Sequence, residues 1–282
     1  MSIEIKTGKP YVSHSGLSTW LNCGWQFYLS RVQKVAEHPS YWLVGGSAVH
    51  EATQTFDVQG PEGFDPTAVF NEAWERNYKR ADNGMEFRAG GRKTKAYPNG
   101  EDKTWWLTEG PKMVDYWMQF RDNSGYQIFN LPDGRPSIEV EMNEVINGIP
   151  MKAIFDRLLV TPNGELIIVD IKTGSREPAS KTQMGIYAIM CEKAFGIRPI
   201  GGAYWMARTG ELTDLVTLDQ FTEQRLASWV TNFAKAVEND IFIPAPGIMC
   251  GTCGVNNACY VVNGKDSHKY PELINNKEEA SE

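Results

Sequence analysis

The chain has 282 residues, of which 41% are hydrophobic and 22% charged, and its formal net charge is −7. That length can bury a real core, no apolar run approaches the roughly 20 residues that cross a bilayer, and the opening MSIEIKTGKPYVS lacks the apolar stretch and cleavage site of a secretory signal. A cytoplasmic protein with no membrane partner is expected. The acidic balance argues mildly against indiscriminate binding to polyanions, but residues 76–95 carry seven cations and two acids, a local net charge of +5.

Residues 15–60 read as helical, with STWLNCGWQFYLSRV first and then GGSAVHEATQTF after a Gly-Gly break, where Ser47 serves as N-cap. Helical periodicity returns over 66–82 and 105–121. Between them, NGMEFRAGGRKTKAYPNGEDK is Gly-rich, basic and unpatterned, hence a loop. From Ser137 to Thr173 the pattern is strand, turn, strand, turn, strand. A helix over 178–195, a strand at GGAYWMAR and a helix over 222–239 follow, and the chain is polar beyond Gly264. No internal repeat and no G-x-x-x-x-G-K-S/T phosphate loop is present, so no nucleotide-driven motor is expected.

The stretch LIIVDIKTG, residues 166–174, sets an acid and a base two positions apart at the end of an apolar strand. Asp170 and Lys172 therefore share a face. Upstream, Asn147-Gly148 favours a two-residue type I′ turn, which sets Glu139 opposite Asp156. TPNGE suits a three-residue loop with Gly164 left-handed, which sets Asp156 opposite Asp170. Directly paired residues share a face, so Glu139, Asp156 and Asp170 form a row across three strands. Like charges so close are destabilising. They call for a cation, and hard oxygen ligands suit Mg²⁺ or Mn²⁺.

These pieces resemble the PD-(D/E)XK nuclease superfamily, in its RecB-like and Cas4-like exonuclease branch. GGSAVHEA is similar to the G-x-x-x-H motif with His50, and IFDRLLV to the strand bearing the metal-binding Asp156. VDIKTG is similar to the D/E-x-K motif with Asp170 and Lys172, and QMGIYA to the Q-x-x-x-Y motif with Gln183 and Tyr187. The resemblance implies an α/β restriction-endonuclease-like core, a central mixed sheet flanked by helices. It implies one nuclease domain over 1–264: a helical part over 15–121, a nuclease core over 137–240 and a cluster-binding segment over 241–262, followed by a polar tail over 265–282. By the same resemblance His50, Asp156, Asp170 and the Ile171 carbonyl hold the divalent metal, with Glu139 as a further ligand from the register. Lys172 serves the attacking water or the transition state, and Gln183 and Tyr187 orient Lys172 or touch DNA.

CGTCGVNNACY supplies Cys250, Cys253 and Cys259, one thiol short of a tetrahedral set, and Cys23 is the available fourth. One N-terminal and three C-terminal cysteines resemble the iron–sulfur staple of Cas4-like and AddB-type nucleases, implying a [4Fe–4S] cluster; Zn²⁺ is the alternative. Cys191 reads as packing. In the basic loop, Arg88, Arg92, Lys93 and Lys95 are the expected phosphate contacts, and Trp105 a stacking surface for bases of single-stranded character. The implied function is metal-dependent DNA exonuclease activity beside a separate helicase, recombinase or integrase, in a phage recombination module or in prokaryotic repair or CRISPR adaptation. The alternative is an inactive DNA-binding or regulatory iron–sulfur protein with the same fold.

Overall fold

The computed structural model describes residues 2–273, so residues 274–282 of the expected polar tail lie outside the described residues. In chain order the helices are α1 (Ser2–Thr7), α2 (His14–Asn22), α3 (Gly24–Phe27), α4 (Tyr41–Gln59), α5 (Pro66–Ala81), α6 (Lys103–Asn123), α7 (Thr182–Phe195) and α8 (Glu223–Glu238). The strands are β1 (Val12–Ser13), β2 (Gln127–Ile128), β3 (Ile138–Ile146), β4 (Ile149–Val160), β5 (Leu166–Lys172), β6 (Gly201–Met206), β7 (Glu211–Leu212) and β8 (Val216–Thr217). None of the described helices is long and apolar enough to cross a membrane. The described residues form two compact units, one drawn from residues 2–37, 143–153 and 223–273, the other from 38–142 and 154–222.

The larger unit carries the mixed sheet. β4 and β5 pair antiparallel from Arg157 opposite Val169 to Val160 opposite Leu166. The loop between them closes with the Thr161 N–H donating to the Glu165 carbonyl at 2.7 Å. Gly164 sits at φ +83°, the left-handed conformation that this three-residue loop requires. β5 then runs parallel to β6, Ile167 opposite Gly201 through Lys172 opposite Met206, with α7 as the crossover. α4, α5 and α6 pack on this sheet around Trp74, Trp106, Trp117 and Trp205, all fully buried.

One expectation for this unit fails. Ser47 is not an N-cap: α4 begins at Tyr41 after Ser40 and runs unbroken through Gly45 and Gly46. A Cβ on Gly45 would lie 2.0 Å from the Trp106 ring. The glycine is there to let α6 approach α4, and the helix accepts its conformational cost.

The smaller unit contains β1, parallel to the start of β4 with Val12 opposite Met151, and the tip of the β3–β4 hairpin. That tip is the expected two-residue turn, with Asn147 at φ +48° and Gly148 at φ +78°. The first helical stretch expected within 15–60, STWLNCGWQFYLSRV, is interrupted. Cys23 is extended and caps α3, its Sγ accepting the Gln26 N–H at 3.4 Å, and residues 34–39 are irregular. α8 buries Leu226, Val230, Phe233 and Val237 at helical spacing. Phe27 and Phe233 meet edge to face at 5.0 Å.

Candidate metal centre

The site lies wholly within the larger unit, where β4 and β5 part. Their ladder ends at Arg157 opposite Val169. One step further, Asp156 Oδ2 instead accepts the Ile171 N–H at 2.7 Å, so a carboxylate takes the place of a backbone partner. The alternation of a strand explains which groups face this opening. Lys172 and Leu166 offer their carbonyls to the β6 side, accepting from Ala207 and Ile200 at 2.9 Å each. Ile171, an odd step away, therefore turns its N–H and C=O toward β4.

His50 comes from α4. Its Nδ1 lies 3.4 Å from Asp156 Oδ2 and 3.7 Å from Glu139 Oε1. Ligand atoms of His50, Glu139 and Asp156 all fall within 4.8 Å of one another. Glu139 reaches this position from a left-handed backbone, φ +49°, a conformation uncommon outside glycine and worth about 1–3 kcal/mol of strain. Asp170 is 1% exposed. The Lys172 ammonium covers its Oδ2 at 2.6 Å. Lys172 also donates to Gln183 Oε1 at 2.8 Å, and Gln183 Nε2 donates to the Tyr187 hydroxyl at 2.8 Å. Gln183 and Tyr187 are one turn apart on α7, so a single helix face supplies both links.

The charges bear on what this cluster could hold. Burial works against a charged His50, yet Asp156, then Glu139 and Asp170, hold its pKa up at about 9. Burial raises Glu139 too, but the His50 hydrogen bond and charge, then Arg157, bring it below the ordinary carboxylate range. Asp156 is raised by burial, opposed by His50 and reinforced by Glu139. Burial and then the charge of Asp156 push Asp170 to about 7 against the pull of Lys172. Carboxylates so crowded are held by shared protons, and a divalent cation is the other way to hold them. The donors, oxygen with one imidazole nitrogen, fit Mg²⁺ or Mn²⁺.

Two further residues anchor the centre. Arg157 is fully buried, with Nε donating to Asp57 Oδ2 at 2.7 Å and Nη1 to Glu139 Oε1 at 3.2 Å and the Asp156 carbonyl at 2.7 Å. Asp57 also accepts from Trp117 Nε1 and Arg121 Nε, both at 3.1 Å. Sequence reasoning missed this network. Its signals were a charged residue inside IFDRLLV and the spacing of His50, Thr53 and Asp57, three and then four residues apart on one stripe of α4. Thr53 links the two ends, donating to the His50 carbonyl at 3.0 Å and facing Arg157 Nη2 at 3.4 Å.

With this geometry in hand, comparison with known proteins is informative. A profile of the PD-(D/E)XK nuclease superfamily matches residues 11–260. The chain belongs to the PD-(D/E)XK nuclease superfamily. It is also similar to the Gene 69 protein of Mycobacterium phage D29, 26% identical over 273 residues covering 89% of this chain and 97% of the relative. The Gene 69 protein of Mycobacterium phage L5 is 25% identical over 303 residues, covering 92% and 99%. A crystal structure of a candidate exonuclease from Eubacterium rectale superposes with a TM-score of 0.48 at 14% identity, covering 86% of this chain and 87% of that one.

Other residues singled out from the sequence are not among the ligand atoms that converge at the centre. In the basic loop, the Arg88 backbone bonds to Pro39 and Tyr41, and its guanidinium donates to the His38 carbonyl at 3.2 Å and lies over the Trp42 ring at 5.2 Å. Trp105 packs edge to face on Trp106 at 4.9 Å, with the Arg208 guanidinium over its ring at 4.7 Å. Arg92, Lys93 and Lys95 are exposed. Cys191 is buried within α7, and burial pushes its thiol up to about 12.

The other four cysteines sit in the smaller unit and are not disulfide-bonded. Cys250, Cys253 and Cys259 lie on or beside short 3₁₀ turns at Ile248–Thr252, Asn256–Ala258 and Tyr260–Val262. Burial raises the Cys253 thiol, and the charges of Cys23, Cys259 and Cys250 add to it. Cys259 is raised by burial and likewise feels Cys23 and Cys250. Backbone N–H groups point at two of the four sulfurs: Ala245 donates to Cys23 Sγ and Gly247 to Cys250 Sγ, each at 3.4 Å. Among the described residues, however, only His50, Glu139 and Asp156 bring three ligand atoms within 4.8 Å.

Proposed function

We propose that this nuclease-superfamily chain is a metal-dependent deoxyribonuclease that hydrolyses phosphodiester bonds from DNA ends. The observation that carries the reading is the convergence of His50, Glu139 and Asp156 with the Asp170–Lys172–Gln183 series where two strands part. His50, Glu139, Asp156, Asp170 and the Ile171 carbonyl are the groups that would hold Mg²⁺ or Mn²⁺. A divalent cation in such a site lowers the pKa of a bound water and neutralises charge on the phosphate. Lys172 sits where its ammonium can orient the attacking water or meet the charge that grows on the phosphoryl oxygens. Gln183, itself tied to Tyr187, fixes the direction of that ammonium. Arg157 and Asp57 hold Glu139 and the β4 backbone beneath the site.

The four thiols would hold a [4Fe–4S] cluster with a structural role, tying the start of α3 to residues 245–259. Structural zinc sites are typically built from two local C-x₂-C pairs, and Cys23 has no such partner, which favours the cluster; backbone N–H donors to sulfur suit thiolates. Such a nuclease would work beside a separate helicase, recombinase or integrase in DNA recombination or repair.

The test is digestion of end-labelled single- and double-stranded DNA with Mg²⁺, Mn²⁺ or a chelator, for the protein and for Lys172→Ala. Cleavage that needs the metal and falls by about 10²–10³-fold in Lys172→Ala, with DNA binding retained, is the expected result. Lys172→Ala cleaving as fast as the unaltered protein would defeat the assignment.

A further inference from the structure

The basic loop is not held by its own residues alone. Its mouth is closed where the Glu101 N–H donates to the Gly90 carbonyl at 2.8 Å. Gly91 and Gly100 stand just inside that closure at φ +66° and +78°. A Cβ on Gly91 would lie 2.4 Å from the Glu101 carboxylate, and one on Gly100 would lie 2.5 Å from the Gly90 carbonyl. The first glycine leaves room for that carboxylate and the second for the returning chain. Between them Arg92, Lys93 and Lys95 are exposed. Tyr97 fastens the middle of the loop to α6, its hydroxyl donating to Glu109 Oε1 at 3.0 Å.

The Glu101 carboxylate is gripped from elsewhere in the same unit. Arg208, two residues beyond β6, donates from Nη1 to Glu101 Oε1 at 2.7 Å and from Nη2 to Oε2 at 2.9 Å. The pairing is bidentate, and side chains only 21% and 15% exposed keep it mostly out of water. The same guanidinium donates from Nε to the Thr173 carbonyl at 2.7 Å. Thr173 directly follows Lys172, whose own carbonyl accepts the Ala207 N–H at 2.9 Å. Residues 207 and 208 thus fix two successive carbonyls at the end of β5, beyond the point where its ladder with β4 stops. Thr173 also lines the cleft that His50 and Glu139 line.

Two bonds to Glu101 would be enough to fasten the loop. The third bond, to Thr173, joins the loop to the strand end that carries Asp170 and Lys172, and a lysine ammonium could not replace this planar fork. We propose that Arg208 is a positioning residue of the centre. Through Glu101 it sets the mouth of the basic loop, and through Thr173 it sets the main chain at Lys172. The loop cations and the Lys172 ammonium then meet one DNA backbone in a fixed relation. This rests on the nuclease reading above and deepens it, by naming what couples binding to cleavage. A shift of about 1 Å in such a relation costs ~100-fold in rate.

The experiment measures Kd by fluorescence anisotropy in Mg²⁺-free buffer, and kcat with Mg²⁺ at saturating end-labelled DNA. Proteins compared are the unaltered chain, Arg208→Lys, Glu101→Gln, and each of these three with Arg92→Ala and Lys93→Ala added. Arg208→Lys keeps the charge and loses the fork, so it should raise Kd and lower kcat about tenfold or more. Glu101→Gln leaves the Thr173 bond in place, so it should raise Kd by a larger factor than it lowers kcat. Removing the two loop cations should cost about tenfold in Kd in the unaltered protein and about threefold or less in Arg208→Lys, because the loop is already displaced there.

A residue that serves stability alone would lower Tm without this split. The proposal is overturned by a folded Arg208→Lys protein with kcat within about twofold of the unaltered chain. It is equally overturned if the loop cations cost the same factor in both backgrounds. Should Arg208→Lys fail to fold, the cycle with Glu101→Gln decides: a reduced cost of the loop cations supports the coupling and an equal cost overturns it. Absence of any metal-dependent cleavage would sink the nuclease reading and with it the Lys172 arm, while the cycle on Kd still decides whether Arg208 governs the loop.

Discussion

The two groupings of candidate ligands are built by opposite means. In the larger unit, hard oxygen donors stand on long strands and one long helix, fixed by ladder register and by a buried arginine. In the smaller unit, soft thiols stand on short 3₁₀ turns and on one extended residue between two helices. The first arrangement is specified by backbone hydrogen bonds that need no ligand. The second draws together segments more than 200 residues apart in sequence with few regular hydrogen bonds, the Gly24 N–H to the Ile243 carbonyl at 2.9 Å among them. A bound group should therefore be an adjunct to the fold at the carboxylates and part of the fold at the thiols.

The largest test of that contrast is loss of the thiol site. Structural metal sites contribute on the order of 10 kcal/mol to the folded state of small units. Anaerobically purified protein should contain iron and sulfide, and Cys253→Ala should lose both and make residues 241–262 open to limited proteolysis. Full protease resistance without bound metal would break the comparison. At the carboxylates, dialysis against a chelator should abolish DNA cleavage yet move Tm by no more than the mass-action term, ~3 kcal/mol at a hundredfold excess of metal over Kd. Calorimetry in Mg²⁺ and in chelator reads this directly, and collapse of the fold on chelation would contradict a preformed centre.

The buried ion network sharpens the same point from inside the larger unit. Arg157 and Asp57 are both shielded from water, with side chains 0% and 1% exposed. Removing one partner of such a pair strands the other charge, at a cost of about 3–5 kcal/mol. Asp57→Asn should lower stability in urea by that order. Because Arg157 also holds Glu139, the metal concentration for half-maximal cleavage should rise more than the DNA concentration does. A mutant that loses stability with an unchanged metal requirement would show that the network only supports the core.

How much of this could be read from sequence follows the same division between local and distant causes. The alignment of β4 with β5 rests on turn chemistry within TPNGE, and Arg157 does face Val169 in the register that loop dictates. The Asn147-Gly148 turn is equally local. The helix and strand that follow β5 were legible from pattern, the mixed α/β class came with the family resemblance, and the parallel pairing of β5 with β6 is what the structure adds. Arg157 went unread because its partner Asp57 lies 100 residues away and neither residue announces the other. Arg88 and Trp105 were assigned to DNA for their chemistry, whereas Trp42 and Arg208 engage them within the unit. The cysteine caps on α3 and the 3₁₀ turns were likewise invisible, since no periodicity marks them.

Gly45 is the smallest of these effects and tests how the carboxylate centre depends on packing. The Gly-Gly pair looks like a helix break when read locally, but its cause is Trp106, whose ring would meet a Cβ on Gly45 at 2.0 Å. Alanine at 45 has better helix propensity, by roughly 1 kcal/mol, which on its own would stabilise α4. Overpacking against a fully buried indole costs about 1–3 kcal/mol in the other direction. The steric term should win, so Gly45→Ala lowers stability by about 1–2 kcal/mol. Relief requires α4 to move away from α6, and His50 lies five residues further along that helix. Gly45→Ala should accordingly weaken metal binding, read by titration calorimetry with Mn²⁺, while Gly46→Ala, whose added Cβ would meet only the Thr173 hydroxyl at 3.1 Å, should have less effect. Equal metal affinity in both variants would mean that the strands alone, and not the helix carrying His50, set the geometry of the centre.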